Sequence, residues 1–350
     1  MRGLVCLLLF VSLILSVSAD QIEGSRLAAI REEMKEGRWG SVDRVLLVHR
    51  GETVFDESFP RIYHSGGEAG PYNYEDTDWH PFRGESQLHT VQSITKSVLA
   101  TVVAAAIQRG LIEGLDRPIN YHFRQQIDEI LTLRHLLSMT AGFDWDEESD
   151  YGEPGNDWSQ MEESENWLGY ALSKPLLDAP GSKFNYNSGL PQLVAEVLVH
   201  STDTDLEQLA SHLLFEPLGI EDVVWKRSAS GEVDAQGGLY LDAESLAKIG
   251  QLYLQDGMWE GERVLPEGWL EEVIEARVSA YEGLDYSLGW WVLSHEDSLA
   301  VAGIGYRGQR IYIVPESEVV LVYFSWNVDP GAGPTTGEIL ARFMRALEQP

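Results

Sequence analysis

The chain has 350 residues, of which 56 are acidic and only 25 are basic, so its formal net charge is −31. This charge argues against a nucleic-acid partner, since the phosphate backbone requires a basic surface, and it disfavours docking to anionic membranes. With 44% hydrophobic residues and 11 tryptophans, the chain can form a sizeable core, and its length is typical of one large domain or two small ones.

Residues 1–19 are typical of a secretory signal peptide. Arg2 provides a positive start, residues 4–17 form an almost continuous apolar run, and Val17-Ser18-Ala19 is a small-residue cleavage site. The run is shorter than the ~20 residues of a membrane-spanning helix, although an uncleaved anchor is an alternative. We therefore expect a periplasmic or secreted protein with no stable membrane insertion after signal removal. The only cysteine, Cys6, lies in the signal, so the mature chain has no thiol for disulfides or metal ligation.

The hydrophobic pattern predicts strands at both ends of the chain and helices in the middle. Leu27, Ile30 and Met34 share one helix face. A hairpin follows over residues 44–59, and then a long irregular stretch over 60–88 of the kind that is functional or disordered. The clearer later helices are predicted at 97–109, 132–138, 163–172, 190–200, 205–214, 243–255, 266–277 and 336–347, and the C-terminal strands at 287–293, 299–302, 309–314 and 319–325.

This order predicts an α+β fold, with one antiparallel sheet formed by both termini and flanked by helices, and with a mostly α-helical region inserted. We expect a single domain over residues 20–350, with its α/β part at about 20–90 and 235–350 and its helical part at about 91–234. Within the helical part, residues 143–167 are aromatic and strongly acidic and include no lysine or arginine. A solvated surface segment is the simplest interpretation, and calcium binding is a weaker one because EF-hand spacing is absent.

Residues 92–100, Gln-Ser-Ile-Thr-Lys-Ser-Val-Leu-Ala, place a hydroxyl and an amine three positions apart at the start of an apolar helix. Residues at this spacing share a helix face, so Lys96 can approach the Ser93 oxygen, and a helix N-terminus favours the negative charge of an alkoxide. This pattern is typical of an acyl-transferring serine hydrolase. The alternative is a serine helix cap beside a lysine that reaches solvent.

The same Ser-x-x-Lys spacing occurs a second time, at Ser245 and Lys248. This copy lies in a segment whose apolar residues recur at helical spacing. We therefore expect an ordinary amphipathic helix with both polar side chains facing solvent.

Two further stretches carry groups that a nucleophilic serine needs. Tyr186 follows a Pro-Gly turn at 180–181. A phenol beside a lysine can accept the serine proton. The simpler alternative is a core tyrosine with a hydrogen-bonded hydroxyl. Residues 301–310 join two predicted strands with three glycines, which allow a backbone to approach a ligand closely. A backbone N–H there, paired with that of Ser93, would form an oxyanion hole. A plain glycine-rich hairpin is the alternative.

In this order, the three elements resemble the motifs of the serine β-lactamase and penicillin-binding-protein superfamily. The match is best to its class C-like branch of secreted serine hydrolases, which includes esterases, D-aminopeptidases and nylon-oligomer hydrolases. Residues 136–145, 237–240 and 246–253 also look like that branch. Together these stretches cover most of residues 42–326 and are specific for fold and mechanism, but they do not name a substrate.

The resemblance implies a role for each matching residue. Ser93 would be the nucleophile, and Lys96 would help to deprotonate it. Tyr186 begins the family's Tyr-x-Asn triplet and would act as general base and then as the acid that protonates the leaving group. The backbone N–H groups of Ser93 and Ile304 would form the oxyanion hole.

The sequence departs from the family's pattern at two places. Ser188 stands where the triplet usually ends in asparagine, and with Gly303 it is a candidate substrate contact. The family's Lys-Thr-Gly is best matched by Val301-Ala302-Gly303, so the cation that normally meets a β-lactam carboxylate is absent. Arg307 or Arg310 could replace it.

These features predict a secreted serine hydrolase that acts on a small-molecule ester, amide or peptide-like substrate through an acyl-enzyme. Without the family cation, and with an acidic segment that can border the cleft, a carboxylesterase or amidase is favoured over a β-lactamase or a D-Ala-type carboxypeptidase. We expect no cofactor and no metal, because the nine histidines show no metal-ligand spacing. A non-catalytic binding or sensor domain of the same fold is the alternative from another class.

Overall fold

The computed structural model describes residues 19–59, 87–123, 130–295, 298–327 and 331–348. Almost all of the expected signal peptide and most of the irregular stretch at 60–88 lie outside the described residues. In the described part of the chain, no helix is both long enough and apolar enough to span a bilayer.

Ten α-helices and thirteen strands are formed by the described residues. The helices are α1 (Ala19–Lys35), α2 (Ile94–Gln108), α3 (Leu133–Leu137), α4 (Asp157–Glu163), α5 (Trp167–Ser173), α6 (Leu190–Thr202), α7 (Leu206–Ala210), α8 (Ala243–Leu254), α9 (Trp269–Glu275) and α10 (Thr336–Leu347). The strands are β1 (Val42–His49), β2 (Glu52–Ser58), β3 (His89–Thr90), β4 (Val224–Trp225), β5 (Leu239–Leu241), β6 (Met258–Trp259), β7 (Glu262–Arg263), β8 (Val278–Tyr281), β9 (Leu284–Ser287), β10 (Trp290–His295), β11 (Ser298–Gly305), β12 (Gln309–Val314) and β13 (Val319–Ser325).

The main sheet has eight strands in the order β2-β1-β13-β12-β11-β10-β9-β8, and every pair in it is antiparallel. The N-terminal hairpin therefore lies beside the last strand, with Val45 opposite Tyr323. A small sheet, β3-β5-β4, joins the segment before α2 to the segment before α8. The predicted α+β fold, with one sheet formed by both ends of the chain, is confirmed.

Helices cover both faces of the main sheet, because successive side chains on a strand point to opposite sides. Tyr323 of β13 contacts Trp39, whose ring also meets Phe343 of α10 at 5.8 Å. Val320 of the same strand points the other way, onto Gly250 of α8. The sheet is therefore the middle layer, between α1 and α10 on one face and α8 and α2 on the other.

Helix α2 is the buried centre of the fold, as its apolar sequence predicts. All of its residues from Ile94 to Ala106 are buried. Its few polar groups are paired inside the protein: the Ser97 hydroxyl donates to the Gly289 carbonyl at 2.7 Å, and the Thr101 hydroxyl donates to the Ser97 carbonyl at 2.8 Å. A helix held in this way gives Ser93, at its N-terminus, a rigid support.

Two predicted elements were wrong in their boundaries. The strand expected at 287–293 is interrupted by a tight turn at Leu288 and Gly289, both of which have positive φ, so β9 and β10 form a hairpin. Gly289 is required there because a Cβ atom would lie 2.9 Å from the Lys96 carbonyl oxygen. The helix expected at 163–172 begins only at Trp167, because the Asn166 side chain caps it by accepting from the Gly169 N–H.

The acidic segment 143–167 is only in part the solvated surface loop expected from its charge, because residues 150–155 are exposed while its tryptophan side chains are not. Its tryptophans are buried, at 5% exposure for Trp145, 8% for Trp158 and 5% for Trp167, and its C-terminal part forms α4. The aromatic residues anchor the segment in the core. Its carboxylates are thereby held at defined positions, several of them close to the candidate site.

Candidate active site

Ser93 lies at the N-cap of α2, and the Lys96 side chain lies next to it. The Lys96 amine donates hydrogen bonds to the Ser93 hydroxyl oxygen at 3.1 Å and to the Gln236 carbonyl oxygen at 2.9 Å. Lys96 is only 3% exposed, so it does not extend its ammonium into bulk water. The geometry therefore excludes the alternative of a lysine that reaches solvent. It also excludes side-chain capping, because the Ser93 hydroxyl accepts no hydrogen bond from the backbone N–H groups at the start of α2.

The ring of Tyr186 lies on the other side of the Lys96 amine. Its centroid is 5.2 Å from Nζ, and its face is stacked on Trp291 with centroids 5.8 Å apart. Tyr186 is half-buried, and within the described residues its hydroxyl has no hydrogen-bond partner, so it is not a core tyrosine with a hydrogen-bonded hydroxyl. The phenol ring, which comes from a distant part of the sequence, is thus brought beside the amine that is hydrogen-bonded to Ser93.

The backbone around Ser93 offers a donor for a developing negative charge. No acceptor among the described groups binds the Ser93 N–H, which is aligned with the start of α2. Strand β11 approaches this point closely: a Cβ atom on Gly305 would lie 2.4 Å from the Val91 carbonyl oxygen, and one on Gly303 would lie 3.0 Å from Ile94. The pairing of β11 with β10 stops at Ala302.

Ile304 lies in this uncovered part of β11, opposite Arg310 of β12. Its place beside the start of α2 fits the oxyanion-hole role implied by the resemblance, and that role stays a prediction. Gly303 does not line the cavity at Ser93. It instead gives β11 room to pack against Ile94 and Ile311, so its expected contact with substrate has no support from its position.

Ser188 lines the cavity and is bound to a carboxylate that the sequence analysis did not single out. Its hydroxyl donates to Oε1 of Glu147 at 2.6 Å, and its backbone N–H donates to Oε2 at 2.8 Å. The indole N–H of Trp145 donates to Oε2 as well, at 2.8 Å. Burial raises the pKa of the Glu147 carboxyl, while the charge of Lys96 opposes that rise.

A second group of charges surrounds Gln236, whose carbonyl oxygen holds Lys96. The Gln236 side chain donates to Glu162 at 2.9 Å and accepts from the Trp158 indole at 3.1 Å, and its backbone N–H donates to Asp234. Burial, and then the nearby Asp234 carboxylate, raise the pKa of Glu162 to about 8, while Lys226 acts against this shift. Burial likewise raises the pKa of Asp234.

These groups face one cavity, with Ser93 at its wall. Glu147 and Tyr151 of the acidic segment line it, together with Arg307 and Tyr306 from the turn after β11. The Tyr151 ring meets the Tyr306 ring edge-on at 5.4 Å, so the acidic segment and the β11–β12 turn close over the same space. The acidic segment therefore does border the candidate cleft.

The structure distinguishes between the two arginines that could replace the missing family cation. Val301 is fully buried between Val292 and Ile313 and brings no charge to the cavity. Arg307 lines the cavity, with its guanidinium 5.1 Å from the centre of the Tyr306 ring. Arg310 is directed elsewhere, to the Thr336 hydroxyl and the Gly305 carbonyl. Only Arg307 is placed to meet a ligand.

The second Ser-x-x-Lys copy has a different environment. Lys248 reaches the Gly219 carbonyl at 2.8 Å. Ser245 is 6% exposed, so the expectation that it faces solvent was wrong; its backbone N–H is held by the cap residue Asp242. The two Ser-x-x-Lys copies have the same residue spacing but different tertiary surroundings, and the spacing alone does not predict those surroundings.

The residues that sequence reasoning missed are Glu147, Asp234, Gln236 and Lys226. The sequence contained a partial indication for Gln236, because the adjacent residues 237–240 resemble the corresponding stretch of the family. Among the described residues, no group of three or more histidine, aspartate or glutamate side chains is arranged to hold a metal ion. The chemistry on offer is that of a hydroxyl at the cavity wall, with an amine hydrogen-bonded to it and a phenol ring beside that amine. Lys96 and Tyr186 lie behind Ser93 and do not themselves line the cavity.

Comparisons with known proteins identify the family of the chain. Residues 28–342 match the family model described as Beta-lactamase. The chain is 26% identical, over 266 residues, to a 6-aminohexanoate-dimer hydrolase from Paenarthrobacter ureafaciens, an alignment that covers 69% of this chain and 67% of the relative.

The fold is also shared with solved structures. EstCE1, described as a hydrolase with promiscuous acyltransferase activity, superposes with a TM-score of 0.70 at 17% identity, covering 94% of this chain and 99% of EstCE1. A penicillin-binding protein from Bacillus halodurans superposes with a TM-score of 0.65 at 16% identity, covering 92% and 98%. The chain therefore belongs to the Beta-lactamase family, a hydrolase family within the superfamily of serine β-lactamases and penicillin-binding proteins.

Proposed function

We propose that the protein is a secreted serine hydrolase that cleaves small esters or amides through an acyl-enzyme. The observation that carries this proposal is the hydrogen bond of 3.1 Å between the Lys96 amine and the Ser93 oxygen, formed out of bulk water at the wall of a cavity. A buried amine in hydrogen-bond contact with a hydroxyl is the arrangement that activates a serine nucleophile.

In the proposed reaction the Ser93 oxygen attacks the substrate carbonyl and forms a C–O bond. Its proton passes to the Lys96–Tyr186 pair, and the oxyanion is held by the Ser93 and Ile304 N–H groups. Collapse of the tetrahedral intermediate expels the alcohol or amine, which takes up that proton from Tyr186. Water then attacks the acyl-enzyme, releases the carboxylic acid and restores the Ser93 hydroxyl.

The carboxyl groups of Glu147 and Asp234 on the cavity wall support neutral or cationic substrates over anionic ones. Glu147 presents a carboxylate at the wall, and Val301 supplies no cation. Arg307 and Lys226 both line the same cavity, and these two cations favour an anionic β-lactam or a D-Ala-type peptide as a second candidate. Lys226 acts on the nearby Glu162 and Asp234 carboxyl groups, which oppose its charge. We give the esterase or amidase activity precedence because Arg307 already packs against the rings of Tyr306 and Trp326.

The test is turnover of p-nitrophenyl acetate, N-acetyl p-nitroanilides and a chromogenic cephalosporin by the purified protein. We expect hydrolysis of the ester and the anilides at rates well above that of the cephalosporin. Ser93→Ala should abolish turnover, while the matched Ser245→Ala change in the other Ser-x-x-Lys copy should leave it intact. Full activity in Ser93→Ala would refute the proposal, and a faster rate on the cephalosporin would favour the second candidate.

Secretion is proposed from the signal-like residues 1–19 and is tested separately. The mature protein recovered from the periplasm or the medium should begin at Asp20. Recovery of an uncleaved chain in the membrane fraction would contradict it.

A further inference from the structure

We infer that Glu162 is a positioning residue that acts on Lys96 through Gln236, and that loss of its proton at alkaline pH slows the reaction at Ser93. This inference rests on the proposed hydrolase function and deepens it, because it names a way in which the same site is regulated. It assigns a role to a residue that does not itself line the cavity at Ser93.

Gln236 connects Glu162 to Lys96 by its two ends. Its backbone carbonyl accepts the hydrogen bond of 2.9 Å from the Lys96 amine, and its side-chain amide donates to the Glu162 carboxyl, also at 2.9 Å. The orientation of that amide is fixed, because an indole N–H can only donate, and the Trp158 indole meets Oε1 of Gln236 at 3.1 Å. One side chain therefore separates the Glu162 carboxyl from the carbonyl that orients the amine.

A second carboxyl group, that of Asp234, holds the backbone of the same residue. Its Oδ1 accepts from the N–H groups of Gln236 at 3.2 Å and of Gly237 at 2.9 Å. Asp234 is only 4% exposed, and burial raises its pKa, but these two donors and the charges of Lys226 and Lys96 support its ionised form. Asp234 therefore loses its proton before Glu162 does.

The charged groups that act on Glu162 come from two other parts of the chain. Burial raises its pKa most and the Asp234 charge adds to this, while Lys226, the hydrogen bond from Gln236 and the charge of Lys96 oppose the rise, which leaves the pKa at about 8. At neutral pH the Glu162 carboxyl is thus protonated. Above about pH 8 it releases that proton to solvent, and two like charges then act on each other beside Gln236.

The added repulsion is transmitted to the reacting groups. Each of the two carboxyl groups is hydrogen-bonded to Gln236, so movement of either one displaces the Gln236 carbonyl. The Lys96 amine then leaves its place at 3.1 Å from the Ser93 oxygen. Because a misplacement of about 1 Å can cost roughly 10²-fold in rate, a small displacement is enough to slow the reaction.

A purely structural role for Glu162 is the competing explanation. In that case its replacement would change kcat by the same factor at every pH. The shape of the pH profile therefore separates the two roles, whereas the rate at a single pH does not.

The experiment measures kcat on p-nitrophenyl acetate between about pH 6.5 and pH 9.5, with the rate of the Ser93→Ala protein subtracted. For the unmodified protein we expect a fall of about 10-fold to 100-fold, with a one-proton midpoint near pH 8. Glu162→Gln, which resembles the protonated carboxyl, should keep the kcat of neutral pH and lose this fall. Glu163→Gln removes an exposed charge from the next position of α4 and should keep it.

A fall with the same midpoint in Glu162→Gln would overturn the inference, and so would a flat profile in the unmodified protein. Tryptophan fluorescence at each pH shows that the protein is still folded. If Glu162→Gln does not fold, Gln236→Met decides, because it breaks the side-chain link and keeps the backbone carbonyl. The fall should then disappear, and an unchanged fall contradicts the inference.

A second readout does not depend on turnover. The Trp158 indole N–H donates to Gln236, so its NMR signal, identified by its loss in Trp158→Phe, should shift with a midpoint near pH 8 in the unmodified protein and stay constant in Glu162→Gln. A constant signal in the unmodified protein contradicts the inference. If the signal shifts but Ser93-dependent turnover is absent at every pH, the proposed hydrolase function is refuted instead.

Discussion

The carbonyl oxygen of Gln236 accepts a hydrogen bond of 2.9 Å from the amine of Lys96, 140 positions earlier in the chain. This contact joins the start of α2 to the segment before β5, and it orients the amine toward the Ser93 oxygen. The position of the lysine is therefore set by two separate parts of the fold. A catalytic amine needs this precision, since proton transfer requires hydrogen-bonding distance.

Replacing Lys96 tests that arrangement. Lys96→Ala removes the amine that assists proton transfer from Ser93, and we expect kcat on p-nitrophenyl acetate to fall by roughly 10²–10⁴. Lys96→Arg should not restore it, because a guanidinium cannot be deprotonated in a protein. Lys248→Ala, in the other Ser-x-x-Lys copy, is the matched control and should retain full activity. A Lys96→Arg enzyme with near-normal kcat would contradict the proton-transfer role.

Tyr186→Phe separates the hydroxyl from the ring. The ring keeps its stacking on Trp291, and the lost hydroxyl has no partner among the described residues, so the thermal unfolding midpoint should hardly change. We expect kcat to fall by roughly 10²–10⁴. Tyr281→Phe removes a hydroxyl from a ring that stacks on the same tryptophan, at 5.9 Å, and should leave kcat within about 2-fold. Comparable kcat values for the two variants would argue against Tyr186 as the base.

Gly305→Ala tests the close approach of β11 to the start of α2. The added methyl group would lie 2.4 Å from the Val91 carbonyl oxygen, so the strand must move away from Ser93. Overpacking of this kind costs about 1–3 kcal/mol in folding stability, and misplacing one oxyanion donor lowers kcat by roughly 10²–10³.

The control for this change is Gly337→Ala, at an exposed position of α10 with no neighbour within 4 Å. It should raise stability by up to ~1 kcal/mol through helix propensity and leave kcat unchanged. Both quantities are read from urea unfolding and initial rates. Normal kcat in Gly305→Ala would show that β11 takes no part in the site.

Glu162 links pH to stability. Its pKa rises from an ordinary value of 4.5 to about 8 in the fold, first through burial and then through the Asp234 charge. Between these two values the unfolded chain has lost the Glu162 proton while the folded protein keeps it. The free energy of unfolding therefore falls as pH rises from about 4.5 to about 8, and levels off above that range.

Glu162→Gln removes this proton and should flatten that part of the profile. Urea unfolding midpoints at pH 5, 7 and 9 should fall less steeply for the variant than for the unmodified protein, so the variant gains relative stability at pH 9. Parallel profiles would show that Glu162 titrates normally in the fold.

The sequence contained the local part of the site but not its surroundings. The spacing of Ser93 and Lys96 on an apolar helix was enough to predict their contact, because i and i+3 are neighbours in any helix. The same spacing gave a wrong prediction of the exposure of Ser245, because the burial of a helical residue depends on what packs against the helix. The strand break at Leu288 and Gly289 was also missed, because the apolar residues on both sides of this tight turn hide it in the hydrophobic pattern.

Groups supplied by other parts of the chain could not be predicted in the same way. Glu147 belongs to a run of acidic residues, and nothing in that run distinguishes it from Glu148 or Glu153. Its role becomes visible only when Ser188 and Trp145 converge on it. Which of the two arginines reaches the cavity could also not be predicted from the sequence. It depends on the three-dimensional surroundings, which direct Arg307 to the cavity and Arg310 to Thr336 and the Gly305 carbonyl.

The most direct test of the account is the position of a covalent adduct. The protein is treated with a fluorophosphonate, digested, and analysed by mass spectrometry, with p-nitrophenyl acetate as competitor. The account predicts one adduct per chain, on the peptide and at the side chain of Ser93, slowed by the competitor and absent from Ser93→Ala. Labelling of another serine such as Ser188 or Ser245, or no labelling of an enzyme that still hydrolyses the ester, would contradict it.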